Sequence, residues 1–313
     1  MKEIVVSIQC ITFNQKKYLR QTLDGFLRQQ TTFGYEIIVH DDASTDGTTD
    51  IVREYAEAHS ELIIPMYEVE NQWSTKGMKP VFGRMTQMSR GRYIAYCEGD
   101  DFWQDPLKLQ KQVEALEQHP EATLCYTGFQ TVDAEGQPYT REDFEACNRQ
   151  GRSGEIFFRL LKNNIVFTPT TLFRKEVFTS SIYLDTPLRL DYFAFLSAAA
   201  LGTAIYLPDR TACYRQTPTG AMATQLPWVK ERYMAIREYF LQQYALGHVH
   251  KPWSVAGFHT LMEALNQALR KKMSGDGSQW QTLMSARPLL RCLYPWVWWQ
   301  VKSQNWRYKT NCD

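Results

Sequence analysis

The stretch GRYIAYCEGDDFW, residues 91–103, decides the fold class of this chain. Its apolar run YIAYC, bounded by turn residues, predicts a short strand that is buried on both faces. Two carboxylates, Asp100 and Asp101, follow this strand, and Glu98 stands just before them. Because acids beside a buried strand are unfavourable unless a ligand or partner offsets their charge, the stretch predicts a binding site at the carboxyl end of a strand.

The same succession of strand and polar turn occurs twice nearer the N-terminus. Residues 4–11 and 36–40 are strand-like, and the polar turns TFN (12–14) and DDASTDGT (41–48) follow them. The segment between these strands has apolar residues at helical spacing, which predicts a helix there, and a further strand is predicted over residues 62–67. This alternation predicts a mostly parallel sheet with helices on both faces, and a ligand site where the three polar turns meet.

Downstream of residue 106 the pattern is less regular. It predicts a helix from Pro106 to about residue 118, a polar loop over residues 136–154, a buried helix over residues 192–200, and strands over residues 122–130, 165–173, 204–207 and 211–215. Amphipathic helices are predicted after Pro227. We therefore divide the chain into an α/β domain over residues 1–222, with halves 1–120 and 121–222, and a C-terminal helical region over residues 223–313.

The composition is that of a folded protein without a preference for nucleic acid. Of the 313 residues, 44% are hydrophobic and 22% are charged, and the net charge is +1, so we expect no nucleic-acid partner. The seven cysteines are scattered without a C-x-x-C pair, which favours free thiols over disulfides or a zinc site. The sequence shows neither a signal-peptide pattern nor an apolar run of about 18–20 residues, and we expect a cytoplasmic protein.

The acids at the strand ends suit two different tasks. A carboxylate such as Asp42 can accept a hydrogen bond from a ligand N–H, as from the imide of uracil, whereas Asp46 is expected to cap the next helix. The later cluster can hold a hard divalent ion that neutralises a diphosphate, with Gly99 permitting close approach of the backbone to the ligand. The alternative interpretations are a helix cap for the first cluster and an exposed acidic turn for the second.

These segments resemble the bacterial inverting glycosyltransferases of family two, which have the GT-A fold. The resemblance rests on VSIQCITFN (6–14), EIIVHDDASTDGT (36–48), GRYIAYCEGDDFW and DPLKLQKQ (105–112), and it extends to the subgroup with the signature E-G-D-D-[YF]-W-x-D-P-x-K-L. It is close over residues 4–130, looser over residues 154–221 and absent from the tail. It implies a Rossmann-like GT-A domain followed by a C-terminal helical extension.

The resemblance also implies an activity. A hexose or N-acetylhexosamine would pass with inversion from a nucleotide-sugar donor, with UDP expected, to a glycan or lipid-linked acceptor during synthesis of a cell-surface polysaccharide such as lipopolysaccharide or capsule. A divalent metal, Mn²⁺ or Mg²⁺, is the implied cofactor. The rival interpretations are a sugar nucleotidyltransferase, for which the G-x-G-T-R-like loop after the first strand is missing, and a nucleotide-sugar-binding module without activity.

Roles at the donor site follow from the resemblance, residue by residue. Asp101 would ligate the metal, Asp42 would bind the base, and Asp100 would contact ribose or diphosphate. Glu98 would not ligate the metal directly; it would contact the metal ligands or reach the metal through water. The nucleoside pocket would be lined by the first polar turn, with Thr12, Phe13 and Asn14.

Two further elements complete the predicted site. The general base of the family stands at a helix start in the second half, and the segment LRLDYFAFL (188–196) nominates Asp191. Asp185 is the competing base, and a plain helix cap is the alternative role of Asp191. Many relatives have a His shortly after a Tyr-Arg pair, where this chain has Thr217. Arg215 would carry phosphate charge instead, with a surface or salt-bridged arginine as the alternative.

Lysines and the tail supply the remaining predictions. Lys79, or Lys76, would meet the diphosphate, with a solvated lysine as the alternative. Residues 287–302 mix tryptophans with basic residues, a composition typical of a segment that lies on an anionic membrane surface. A helix packed on the main domain, or a homodimer contact, would use the same side chains. Membrane attachment would make the protein peripheral on the inner face of the plasma membrane.

Overall fold

The computed structural model describes residues 2–75, 78–184, 191–218, 227–252, 254–274 and 276–286. The strands are β1 Ile4–Thr12, β2 Gly34–Asp41, β3 Ile63–Tyr67, β4 Tyr93–Glu98, β5 Phe102–Trp103, β6 Ala122–Val132, β7 Thr171–Arg174 and β8 Thr203–Arg215. The helices are α1 Leu19–Leu27, α2 Thr48–Ala58, α3 Gln72–Thr75, α4 Lys79–Met88, α5 Lys108–Gln118, α6 Glu142–Gln150, α7 Phe157–Lys162, α8 Ser181–Leu184, α9 Asp191–Leu201, α10 Pro227–Leu246, α11 Val255–Met273 and α12 Ser278–Ala286.

One sheet in the described part of the chain contains all eight of these strands, in the order β3-β2-β1-β4-β7-β6-β8-β5. β1 pairs in parallel with β2 and β4, and β2 pairs in parallel with β3. β7 runs antiparallel to β4 and to β6, whereas β6 and β8 are parallel. The prediction of a mostly parallel sheet is confirmed.

The register places the three polar turns at one edge of the sheet. Thr12 lies opposite Asp41 in the pairing of β1 with β2, and Ile11 lies opposite Glu98 in the pairing of β1 with β4. Parallel strands in register end together, so the residues that follow β1, β2 and β4 emerge side by side.

Helices cover both faces of this sheet because successive strand residues point in opposite directions. On β2, Ile38 packs in a cluster with Val81 and Met85 of α4. Its neighbours Ile37 and Val39 belong to the larger cluster on the other face, which contains apolar residues of α1, α2 and α5. The apolar run of the strand is therefore buried on both sides, as the sequence predicted.

Residues 136–154 do not form the continuous loop that we predicted, since α6 lies within them. The segment is polar, but Phe144 is buried and packs edge-on against Phe129 of β6 at 6.1 Å between ring centroids. Asn148 also bonds the backbone of Phe129 twice, accepting from its N–H at 3.1 Å and donating to its carbonyl at 3.0 Å. Tertiary contacts thus stabilise a helix that local composition did not indicate.

Three boundaries also differ from the predictions. The helix expected from Pro106 begins at Lys108. The strand expected over residues 165–173 is confined to β7, because Thr168–Thr170 form a 3-10 turn. The two closing strands are one strand, β8, whose pairing with β6 shifts register between Thr127 and Phe129.

Two compact units make up the chain, Met1–Lys230 and Glu231–Asp313. Within the second unit, Arg237 of α10 forms an ion pair with Glu263 of α11 at 2.7 Å. Our boundary at residues 222/223 stays a prediction.

In the described residues, no helix is both long and apolar enough to cross a bilayer. Residues 287–302, to which we assigned membrane or dimer contacts, lie outside the described residues.

Candidate active site

The turn after β1 packs tightly against the acidic turn after β4. A Cβ at Gly99 would stand 2.8 Å from Thr12 Oγ1 and 2.5 Å from Gln15 Oε1. Glycine is therefore required here by the close approach of the turn after β1, and the expected approach of a ligand to Gly99 stays a prediction. Thr12 is buried, and its hydroxyl has no hydrogen-bond partner among the described residues. Phe13, the next residue, is 45% exposed.

Hydrogen bonds tie the turns after β1 and β2 together. Asn14 has a left-handed backbone, with φ of 51°. Its N–H donates to Ser44 Oγ at 2.9 Å, and its side-chain oxygen accepts from the Thr45 N–H at 2.8 Å. Asp46 accepts from the N–H of Thr48 at 2.9 Å, but Gly47 is the N-cap residue of α2 and no side chain caps this helix, so the expected cap by Asp46 is wrong. The predicted nucleoside turn is thereby hydrogen-bonded to the turn after β2.

Asp42 anchors the start of α3. Its Oδ1 accepts from the backbone N–H of Gln72 at 2.7 Å, and its Oδ2 accepts from that of Trp73 at 3.1 Å. The carboxylate is 2% exposed, and it satisfies amides that have no partner within their own short helix. The contact of Asp42 with a base stays a prediction.

The acids around the end of β4 form one cluster. One oxygen from each of Glu98, Asp100 and Asp101 lies within 4.8 Å of the other two. Asp101 is 1% exposed, and its Oδ1 accepts from the backbone N–H of Arg215 at 2.7 Å. Its Oδ2 is buried and has no hydrogen-bond partner among the described residues. A buried carboxylate oxygen without a partner is unfavourable, which indicates that a bound ligand or ion pairs with it.

The pKa values of the cluster are raised. Burial is the main cause for all three acids, and it raises the pKa of Glu98 to about 8, with further contributions from the charges of Asp100 and Asp191. The pKa of Asp101 lies well above its usual range because Asp100 and Glu98 add to the effect of burial. The side chain of Glu98 is nevertheless exposed to solvent, and contact with water moderates the effect of burial on its pKa.

This cluster fits a divalent cation. Its donor atoms are hard carboxylate oxygens, which suit Mg²⁺ and Mn²⁺. The partnerless oxygen of Asp101 and the mutual repulsion of the three acids would both be relieved by a positive charge at this point. Because a bound cation would relieve this repulsion, the repulsion among the three acids favours cation binding.

Arg215 holds the acidic turn in place through hydrogen bonds. Its guanidinium donates to the carbonyl of Asp100 at 2.7 Å, to Gln21 Oε1 at 2.6 Å and to the carbonyl of Asp133 at 3.3 Å. The residue is buried, and its guanidinium lies 4.8 Å from the ring centroid of Tyr18. Arg215 therefore positions Asp100 and Asp101, while its direct contact with phosphate stays a prediction. Lys79 begins α4, but its side chain and the whole of Lys76 lie outside the described part.

Asp191, the predicted base, is the first residue of α9 and is half-buried. Its Oδ1 accepts from the N–H of Tyr192 at 2.7 Å, and its Oδ2 accepts from Thr168 Oγ1 at 3.2 Å. Its negative charge contributes to the raised pKa of Glu98, so the two carboxylates lie near each other. Asp191 thus both contacts the helix start and borders the acidic cluster. Its rival Asp185 lies outside the described residues.

Sequence reasoning missed two side chains at this site. Thr168, which contacts Asp191, lies in a 3-10 turn that has no local signature. Tyr214 is half-buried, and its pKa is raised by burial and then by the negative charges of four carboxylates, those of Asp101, Glu98, Asp191 and Asp100. The Tyr-Arg pair in the sequence was the available signal for Tyr214, although we had considered only its arginine.

Comparison with known proteins decides the family. Residues 7–180 match the profile described as Glycosyl transferase family 2. This chain belongs to glycosyl transferase family 2. The resemblance seen in the sequence is therefore confirmed over a segment that includes most of β1, β4 and the acidic turn of this family 2 protein.

Relatives of this family 2 chain include proteins from two bacterial genera. An uncharacterized protein of Mycobacterium tuberculosis is 35% identical over 218 residues, which are 69% of this chain and 60% of that protein. The match thus spans less than two thirds of the relative's length. A Bacillus subtilis protein named "Putative teichuronic acid biosynthesis glycosyltransferase TuaG" is 27% identical over 236 residues, which are 75% of this chain and 88% of that protein.

Solved structures confirm the GT-A fold of this family 2 chain. S. aureus TarS 1-349 in complex with UDP-GlcNAc has a TM-score of 0.58 and 16% identity, with 90% of this chain and 79% of that chain covered. The mannosyltransferase PcManGT from Pyrobaculum calidifontis, in complex with GDP-Man and Mn²⁺, has a TM-score of 0.51 and 17% identity, covering 96% and 84%. At such identities the likeness concerns the fold.

Proposed function

We propose that this protein is an inverting glycosyltransferase. It transfers a sugar from a UDP-sugar to a hydroxyl of a glycan or lipid-linked acceptor during assembly of a cell-surface polysaccharide. The observation that carries the proposal is the cluster of Glu98, Asp100 and Asp101, with Asp191 near enough for its charge to raise the pKa of Glu98. The name of TuaG supports a role in polysaccharide synthesis, and the complex of TarS with UDP-GlcNAc supports the donor class.

Asp101 is our main candidate for holding a divalent cation, with Asp100 and Glu98 beside it. Bound there, Mg²⁺ or Mn²⁺ would supply neutralisation of the charge that develops on the departing diphosphate. The Mn²⁺ in PcManGT supports this assignment. The chain itself contributes the position of the oxygens: the Arg215 N–H holds Asp101 Oδ1, and the Arg215 guanidinium holds the Asp100 carbonyl.

Asp191 is our candidate for the general base. The acceptor oxygen forms its bond to the anomeric carbon as the bond to the diphosphate breaks, and the acceptor proton passes to the Asp191 carboxylate. A single displacement of this kind inverts the anomeric configuration. The hydrogen bonds from Thr168 and from the Tyr192 N–H orient the carboxylate.

For the nucleoside, we propose the edge formed by Thr12, Phe13, Asn14 and Asp42. Each carboxylate oxygen can accept two hydrogen bonds, so Asp42 has acceptor capacity for a base N–H in addition to the amides of Gln72 and Trp73. The exposed ring of Phe13 supplies an apolar surface at the same edge. The buried, partnerless hydroxyl of Thr12 can donate to a ligand oxygen there.

The decisive experiment offers a panel of UDP-sugars to the full chain with Mn²⁺ and monitors UDP and the released sugar by NMR. We expect metal-dependent release of UDP from one donor, together with an initial sugar product of inverted anomeric configuration. Metal-dependent UDP binding without any release, with or without glycan acceptors, would instead establish a binding module without activity.

A further inference from the structure

Four aromatic rings, which we call the aromatic wall, form a cluster beside the acidic side chains: Phe129, Phe144, Phe167 and Tyr214. Phe129 and Phe144 are buried, whereas Phe167 and Tyr214 are only half-buried. The centroids of the two outer rings are 5.0 Å apart, and Phe144 packs edge-on against both, at 5.4 Å and 5.5 Å. The inner pair therefore fixes the outer pair in place, and part of the outer pair stays accessible.

The two outer rings stand next to the two halves of the proposed chemistry. Phe167 immediately precedes Thr168, whose hydroxyl contacts Asp191. Tyr214 immediately precedes Arg215, whose N–H contacts Asp101. Since the outer rings touch each other, the aromatic wall connects the neighbourhood of the candidate base to that of the candidate metal ligand.

Tyr214 adds a polar group to this surface. Its hydroxyl makes no hydrogen bond within the described residues, although the negative charges of the cluster and of Asp191 act on it. A half-buried phenol without a partner, beside carboxylates, is equipped to bond a ligand hydroxyl as donor or acceptor. The wall thus combines an apolar surface with a hydrogen-bonding group at its rim.

We propose that Phe167 and Tyr214 form the subsite for the acceptor, and that the acceptor group bound there is a hexopyranose ring. One face of a pyranose presents C–H bonds, which carry slight positive charge and are attracted to the negative face of an aromatic ring. A sugar lying on the wall turns a hydroxyl toward Asp191. This inference rests on the proposed function and deepens it by naming the chemical class of the acceptor.

Charge distinguishes this acceptor from an anionic one. A phosphate group on the wall would meet both the negative faces of the rings and the negative charge of Asp191, which is not among the proposed ligands of the cation. A neutral sugar meets neither penalty. The acceptor group at the reaction point is therefore a sugar of a glycan, whether or not that glycan is attached to a lipid.

Saturation-transfer NMR tests the subsite with defined probes. The full chain, with UDP and Mg²⁺, is mixed with each of a panel of methyl hexopyranosides, and the protein's aromatic protons are saturated. We expect transfer to the C–H protons of one sugar face for at least one glycoside. Phe167→Leu, which keeps an apolar residue of similar bulk, should weaken binding of that glycoside about threefold to tenfold. Tyr214→Phe should retain contact with the sugar face.

The matched control is Phe82→Leu, at a half-buried ring that contacts Tyr96 in a different part of the sheet domain. It should leave the glycoside signal unchanged. Transfer to no glycoside, equal affinity in Phe167→Leu, or displacement of the glycoside by inorganic phosphate would each overturn the subsite. Calorimetry of UDP with Mg²⁺ on the same samples distinguishes failure of the proposed function from failure of the subsite. Lack of UDP binding by the unaltered chain contradicts the proposed function. Retained UDP binding by Phe167→Leu shows that the variant is folded.

Discussion

The backbone N–H of Arg215 donates a hydrogen bond of 2.7 Å to Oδ1 of Asp101, and this bond joins the end of β8 to the acidic turn after β4. The other oxygen of Asp101 has no partner among the described residues. One oxygen thus orients the carboxylate, and the second is left for a ligand. Because the guanidinium of Arg215 also holds the carbonyl of Asp100, a single residue shapes both proposed donors.

Asp101→Asn tests the cation site. We expect a saturating divalent ion to stabilise the unaltered protein, by about 3 kcal/mol at a hundredfold excess over its Kd, and to have little effect on the variant. Without metal, the variant should be at least as stable at pH 8, since a neutral amide removes repulsion from Glu98 and Asp100. Thermal unfolding with Mn²⁺ and with EDTA measures both effects. Asp50→Asn, at an exposed surface ion pair, should respond to Mn²⁺ like the unaltered protein, and equal stabilisation of Asp101→Asn would remove our metal assignment.

Arg215→Lys separates positioning from direct phosphate binding. A lysine loses the paired contacts with Asp100 and Gln21, so we expect weaker binding of Mn²⁺ alone, and a loss of stability of about 1–3 kcal/mol. Calorimetry with Mn²⁺ in the absence of nucleotide is the measurement, and Arg92→Lys, at a surface ion pair, is the control. Unchanged Mn²⁺ affinity combined with weaker UDP affinity would instead assign Arg215 to the phosphate.

Asp191→Asn should lower turnover about a hundredfold or more, because an amide cannot accept the acceptor proton. UDP binding with metal, measured by calorimetry, should be unaffected. Thr168→Val removes only the hydroxyl that orients Asp191, and a smaller loss of turnover is expected, with donor affinity again unchanged. Normal turnover in Asp191→Asn would dismiss the base assignment and leave Asp191 as a helix cap.

Lys108 makes stability depend on pH in a defined direction. Its side chain is fully buried, with Nζ 4.4 Å from the Trp103 ring centroid, and burial lowers its pKa to about 7. Between this value and the ordinary value of 10.5, the unfolded chain binds a proton that the folded chain does not. The contribution of Lys108 to the free energy of unfolding therefore rises with pH across this window, by at most about 1.4 kcal/mol per pH unit, and is lost as the pH falls toward 7.

Urea unfolding of the unaltered protein and of Lys108→Met, at intervals from pH 7 to pH 10, measures this effect. The free energy of unfolding of the unaltered protein should increase with pH relative to that of Lys108→Met. Lys111→Met is the control, because a hydrogen bond to Asp105 raises the pKa of Lys111 and its titration lies above this range. Parallel stability curves for the unaltered protein and Lys108→Met would contradict the prediction.

The sequence by itself determined the parallel half of the sheet and the place of its ligand edge. β1, β2 and β4 are short apolar runs, and the polar turns after them are contiguous with the strands, so local pattern was sufficient. The rule that parallel strands end together then placed Thr12, Asp42 and Asp101 at one edge without knowledge of any long-range contact.

Tertiary structure alone decided what those side chains touch. The backbone amides that donate to Asp42 belong to residues 72 and 73, and the hydroxyl that donates to Asp191 belongs to Thr168. The N–H that donates to Asp101 belongs to Arg215, which is 114 residues away in the sequence. α6 likewise forms because Phe144 and Asn148 meet β6. A local pattern specifies that a buried polar group needs a partner, but which partner reaches it depends on how distant segments pack, and that is settled by the burial and hydrogen bonding of the whole domain.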